Sequence, residues 1–166
     1  MFRKVFSVAL VTCGLLVIVQ AAKKVEQCEK RIPDSLKPKL CQIRQYQLLE
    51  GADMEKHIDC VMRALGFVHP DGSGNYHALI EPLNAIDKDR KHGFNLETCG
   101  GNRDKLPKRK RAYAFYKCML KSTSADSFKK AFDLKELVNA GKLSATAKYS
   151  PQVDTLMAQI DGMICK

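Results

Sequence analysis

The stretch Asp53-Met54-Glu55-Lys56-His57-Ile58-Asp59-Cys60-Val61-Met62-Arg63-Ala64-Leu65-Gly66 decides the fold class. Met54, Ile58, Val61, Met62 and Leu65 recur at the three- and four-residue spacing that lines one face of an α-helix. Asp53 reads as the N-cap, Glu55 as a first-turn acid and Gly66 as the stop. His57 lies on the apolar stripe itself, and Cys60 ties the helix into a larger framework.

Working outward, the same periodicity fills most of the chain, and almost no period-two alternation speaks for strands. His69-Pro70-Asp71-Gly72-Ser73-Gly74 is a loop dense in helix breakers. A helical pattern then runs from Tyr76 through Leu79, Ile80, Leu83 and Ile86 to Gly93, with Pro82 expected to split or kink it. Gly100-Gly101 marks the next break. A helix starts near Pro107 and carries Ala112, Phe115, Tyr116 and Met119 on one side. Another, capped by Ser124 or Asp126, carries Phe128, Ala131, Phe132, Leu134, Leu137 and Val138 and ends at Asn139-Ala140-Gly141. Ser150-Pro151 opens the last helix, striped by Val153, Leu156, Met157, Ile160 and Ile164. The chain reads as all-α.

Met1 to Lys4 are basic and Val5 to Val19 largely apolar, the profile of a signal peptide. Val19 and Ala21 place the cut after Ala21, with Ala22 as the one-residue alternative, which leaves 22–166 as a single domain. The apolar run falls short of the roughly 20 residues that a membrane span needs. Cysteine usage points the same way. One of the seven cysteines, Cys13, falls inside the leader, and the remaining Cys28, Cys41, Cys60, Cys99, Cys118 and Cys165 form an even set suited to three bridges in an oxidising compartment. Six cysteines allow about 15 pairings, and spacing does not choose among them. The absence of any CxxC pair or paired histidines argues against a metal site, and no cofactor motif appears.

The whole chain has 28 basic and 18 acidic residues, a net charge of +10. Most of the excess is local: Arg103 to Lys121 holds eight cations and one acid, Asp104. Lys108, Arg109, Lys110 and Arg111 stand at the start of a helix, where cations oppose the macrodipole. Helix stability does not explain them, so they form a candidate polyanion patch. A nucleic-acid role is not expected of an exported chain with one basic patch and no known module.

Enzymatic motifs are missing. His57-Ile58-Asp59-Cys60 has a faint likeness to secreted phospholipases, but residues two apart on a helix do not face each other. His57, His69, His77 and His92 form no ribonuclease-like motif, and no nucleophile elbow occurs. The chain is therefore expected not to be an enzyme. Asp133 and Glu136, three apart on a helix beside Phe132, point within about 60° of each other. Such a pair next to aromatic surface can hold a cationic amine, although two helix acids are ordinarily just a solvated face.

The six-cysteine pattern, the segment Asp53 to Cys60, Tyr113-Ala114-Phe115-Tyr116-Lys117-Cys118 and Phe132-Asp133-Leu134-Lys135-Glu136-Leu137 together resemble the short-form mosquito salivary proteins of the D-seven family. That family lies within the insect odorant-binding-protein superfamily, and the resemblance covers Lys23 to Lys166. It implies a compact bundle of about eight helices around a central pocket, with bridges Cys28–Cys60, Cys41–Cys165 and Cys99–Cys118. It further implies a secreted salivary scavenger of host biogenic amines such as serotonin, histamine and noradrenaline, acting as a monomer during blood feeding and opposing vasoconstriction, platelet aggregation and inflammation. The positions that match the family's pocket are Arg44, His57, Tyr116, Phe132, Asp133 and Glu136, with Glu29 and Met163 matching less securely. The alternative is an anticoagulant interaction protein whose basic stretch docks on polyanions, anionic membrane surfaces or contact-phase clotting proteins.

Overall fold

A computed structural model of the chain describes residues 25–101 and 105–166. The expected signal peptide, residues 1–21, its alternative end Ala22, and Arg103 and Asp104 of the basic stretch lie outside the described residues. A helical segment over residues 25–30 (α1) is followed by a 3-10 turn at Asp34–Lys39 that runs into the short helix Leu40–Arg44 (α2). The remaining helices are Ala52–Ala64 (α3), Tyr76–Ile86 (α4), Lys91–Gly101 (α5), Lys108–Lys121 (α6), Ala125–Asn139 (α7) and Pro151–Ile164 (α8). Among the described residues the only extended pairing is an isolated bridge between Val68 and Gly74.

The apolar stripes read from the sequence are the faces that are buried. Met54, Ile58, Val61 and Met62 of α3 meet Ala112, Phe115, Tyr116 and Met119 of α6, and Phe128, Ala131 and Phe132 of α7 complete the same core. At its centre Phe67, Tyr116, Phe128 and Phe132 pack edge-on or tilted with ring centroids 6.0–6.4 Å apart, the arrangement that the ring quadrupole favours. Gly74 is required beside this core, since a Cβ there would lie 2.4 Å from the Phe115 ring. A smaller cluster of Leu137, Val153 and Met157 joins α7 to α8.

Three helix boundaries differ from the sequence expectation. Asp53 is not the N-cap: Gly51, at φ 124°, takes that position without a side-chain cap. The chain turns into α3 two residues early because glycine tolerates this backbone, and Asp53 in the first turn instead accepts a hydrogen bond from Ser35 at 2.5 Å. Pro82 does not split α4, which continues to Ile86 and stops where Asp87 turns extended at φ −149°, ψ 125°. Gly100 and Gly101 both lie within α5 and do not break it. Ser124 occupies the N-cap position of α7, but its hydroxyl is engaged by His92 at 2.7 Å and Asn95 at 2.8 Å rather than by the helix.

The bridges are Cys28–Cys60, Cys41–Cys165 and Cys99–Cys118, the pairing that the resemblance implied. They join α1 to α3, α2 to the end of α8, and α5 to α6. α7 alone among the longer helices bearing the candidate residues carries no cysteine.

Candidate functional site

Between α1, α2, α3, α6, α7 and the end of α8 the bundle leaves a cavity of about 230 Å³. Its apolar walls are Ile32, Leu40, Ile43, Ile58, Val61, Phe132 and Ile164, and its polar lining is Glu29, Arg44, Tyr46, His57, Tyr116 and Glu136. Tyr46 stands edge-on to Phe132 with centroids 5.8 Å apart. His57 and Tyr116 are both buried, 8% and 2% exposed. Neither makes a hydrogen bond within the described residues, yet no fully enclosed polar side-chain atom there lacks a partner. The imidazole and the phenol therefore keep some access to solvent at their polar atoms, and both residues line the cavity.

One end of the cavity is dominated by charge. The Arg44 guanidinium lies 2.6 Å from Glu136 Oε2 through Nη1, 3.5 Å from Asp133 Oδ1 through Nη2, and 3.2 Å from Asp161 Oδ1 through Nε. Tyr46 donates its hydroxyl to Asp133 Oδ1 at 2.6 Å. Burial works against the Arg44 charge, but Glu136 and its neighbours outweigh it and hold the guanidinium above its usual range. Burial pushes the Glu136 carboxyl up to about 7, with Arg44 opposing, and raises Asp133, with the Tyr46 hydrogen bond and Arg44 opposing. Burial also lowers His57, which favours a neutral imidazole at physiological pH. Three carboxylates, of which Asp133 and Glu136 are the more deeply buried, thus share one internal cation beside aromatic surface, and a second cation of the right shape could take its place at those two.

The PBP/GOBP family profile matches residues 18–122 of the chain. Short form salivary protein D7R1 of Anopheles gambiae is 60% identical over 99% of each chain, and D7R4 of the same mosquito is 47% identical over 97% of each. The chain belongs to this family. Its fold superposes on the crystal structure of the Anopheles gambiae D7R4–norepinephrine complex with a TM-score of 0.82 at 48% identity, covering 86% of this chain and 99% of that one. An AeD7–leukotriene E4 complex matches at a TM-score of 0.65 and 28% identity, over 76% of this chain and 45% of that one. The family is thus one of salivary relatives with small-molecule complexes.

Of the residues singled out in the sequence, the fold brings Arg44, His57, Tyr116, Phe132 and Glu136 to one cavity, with Glu29 at its rim. Asp133 stands behind that surface, held by Arg44 and Tyr46. Met163 does not line the cavity. It is 64% exposed and borders a neighbouring depression, while Ile164, about 100° further round α8, supplies the wall. Tyr46 and Asp161 were not legible as site residues. Tyr46 follows α2 in a non-repeating segment and adopts φ 59°, a conformation that no pattern of apolar residues announces. Asp161 reaches Arg44 across 117 residues of sequence. Lys108 to Arg111 lie on α6 away from the cavity. Arg111 is 3.3 Å from Asp71 and donates from Nε to the Leu106 carbonyl at 2.9 Å.

Proposed function

We propose that the chain is a salivary scavenger that binds host biogenic amines, serotonin, histamine and noradrenaline, one molecule per monomer and without turnover. The observation that carries this reading is the pair Asp133 and Glu136, neutralised by Arg44 at one end of an aromatic-walled cavity also lined by His57 and Tyr116, which make no hydrogen bond among the described residues. The ligand's ammonium replaces Arg44 at Glu136 and Asp133, and Arg44 keeps Asp161. Asp133 and Glu136 then keep a cation throughout, so the exchange avoids the cost of leaving a buried carboxylate without a partner. The aromatic body lies against Phe132, and its hydroxyl or ring nitrogen meets His57 and Tyr116.

Size supports the choice of ligand class. At about 230 Å³ the cavity is smaller than the roughly 300–1,000 Å³ of sites for drug-sized ligands, which favours a compact amine over a long lipid. Scavenging requires tight binding. A Kd near 1 nM corresponds to about −12 kcal/mol, within reach of a dozen or so heavy atoms only when nearly all of them are buried and paired.

Export after removal of residues 1–21 belongs to the same reading, as does opposition to vasoconstriction, platelet aggregation and inflammation at a bite. A contact-phase anticoagulant role would use α6, whose basic stripe lies roughly 100–140° round the helix from Tyr116, and so would not compete for the cavity. The test is a calorimetric panel with the three amines. One-to-one heats from at least one at micromolar protein are expected, and none from any of them would overturn the reading.

A further inference from the structure

The helix α6 has six cations and no acid. Its buried side, Ala112, Tyr113, Phe115, Tyr116 and Met119, is spent on the core. On the other side Lys110, Lys117 and Lys121 fall within about 40° of one another and span roughly 17 Å along the axis. They border an open groove of about 600 Å³ whose lining also includes Glu50 and Glu55, the partners of Lys117 and Lys110, and Thr98 of α5. The Cys99–Cys118 bridge lies in the groove wall and fixes α5 to α6, so the spacing across it is set before any partner arrives.

These cations are not consumed by the fold. Lys121, Lys108 and Arg109 are exposed and have no ion pair among the described residues. Lys110 reaches Glu55 only at 3.9 Å, and Lys117 meets Glu50, whose side chain is 72% exposed, at 2.5 Å. Each pair joins one exposed side chain to one part-buried one, and Lys117 also lies 5.5 Å from the Tyr113 ring centroid, so each lysine keeps a flexible partner that an anion can replace. Lys108 and Arg109 stand at the positive end of the helix dipole, where they weaken α6 unless an anion offsets them.

We propose that this groove binds a linear sulfated polysaccharide. A single chain can enter a groove that a planar bilayer cannot line. Its separated sulfates match lysines that act as point charges, and its hydroxyl groups match Thr98 of α5 in the groove lining. Binding there leaves the amine cavity untouched, since Tyr116 and the lysine stripe occupy different faces of α6.

The test uses the full mature chain on immobilised heparin. The unmodified protein should be retained at about 0.15 M salt and elute at higher salt. Lys110→Gln/Lys117→Gln/Lys121→Gln should pass through at that salt, with an unchanged circular dichroism spectrum and melting temperature. The slope of log affinity against log salt should fall by about two to three. A control with the same charge removed elsewhere, Lys88→Gln/Lys91→Gln/Lys166→Gln, should elute close to the unmodified protein. Flow-through of the unmodified protein would overturn the proposal. So would equal losses in the two triple variants, which would mean net charge alone, or binding to phosphatidylserine vesicles that soluble heparin fails to displace.

Discussion

Glu136 concentrates the chemistry of the cavity in one side chain. Burial holds its carboxyl at about 7 although Arg44 lies 2.6 Å away. A folded value above the unfolded 4.5 means that this group favours the ligand-free fold fully below the unfolded value and loses that contribution as the pH rises through about 7. Melting temperature without ligand should therefore fall between pH 5 and pH 8 by more than in Glu136→Gln. Amine affinity should move the other way. The ammonium needs the ionised acid, so affinity measured by calorimetry should weaken below pH 7, by up to about tenfold per unit for one proton. Arg44 gives a complementary prediction. Arg44→Met strands two part-buried carboxylates and should cost about 3 kcal/mol at pH 8, read by denaturant unfolding. The loss should shrink at pH 5, where Glu136 takes a proton, and added serotonin should stabilise this variant more than the parent, because no internal cation has to be displaced. At this scale the sequence was half legible. Arg44, His57, Tyr116, Phe132 and Glu136 could be named from resemblance, but Tyr46 and Asp161 could not. Their importance comes from a left-handed backbone at Tyr46 and from a contact 117 residues distant, neither of which leaves a local pattern.

Helices α1, α2, α3, α6 and α8 each reach the cavity and each carries or adjoins a disulfide, whereas α7, with Phe132, Asp133 and Glu136, is held by packing and by its polar contacts with Arg44 and Tyr46, with no covalent tie. The acid-bearing helix is the element most free to adjust when Arg44 is exchanged for a ligand. Hydrogen exchange should show the largest amine-induced protection in α7 and the segment 45–51, and least in α5. The Cys41–Cys165 bridge brings Arg44 and Ile164 together from opposite ends of the chain. Replacing both cysteines by Ser should cost about 4 kcal/mol and weaken serotonin binding. The same change at Cys99 and Cys118, remote from the cavity, should lower stability while leaving affinity within about twofold. Apolar periodicity located α3, α4, α6, α7 and α8, because burial of one stripe is a local signal, and missed α5, whose buried face is His92, Asn95, Leu96 and Cys99 rather than an apolar stripe. It misplaced boundaries where glycine at 51 and an extended Asp87 set the turns, and it could not see that Pro82 would be tolerated inside α4.

For the molecule as a whole, the all-α class and the even set of six cysteines followed from composition and period alone. Which cysteine meets which did not, since spacing leaves all pairings open until the helices are placed in space. The fold makes one physical arrangement from these parts: an aromatic core with a small cavity beside it, two acids and a guanidinium at the end of that cavity, and a basic stripe turned away from it. The central claim is that Asp133 and Glu136 hold the ligand's ammonium in place of Arg44. Calorimetric titration of serotonin into the native chain and into Asp133→Ala/Glu136→Ala tests it most directly. The account predicts tight one-to-one binding to the former and none to the latter at micromolar protein, with the helical circular dichroism spectrum retained. Equal affinity in the two would contradict it.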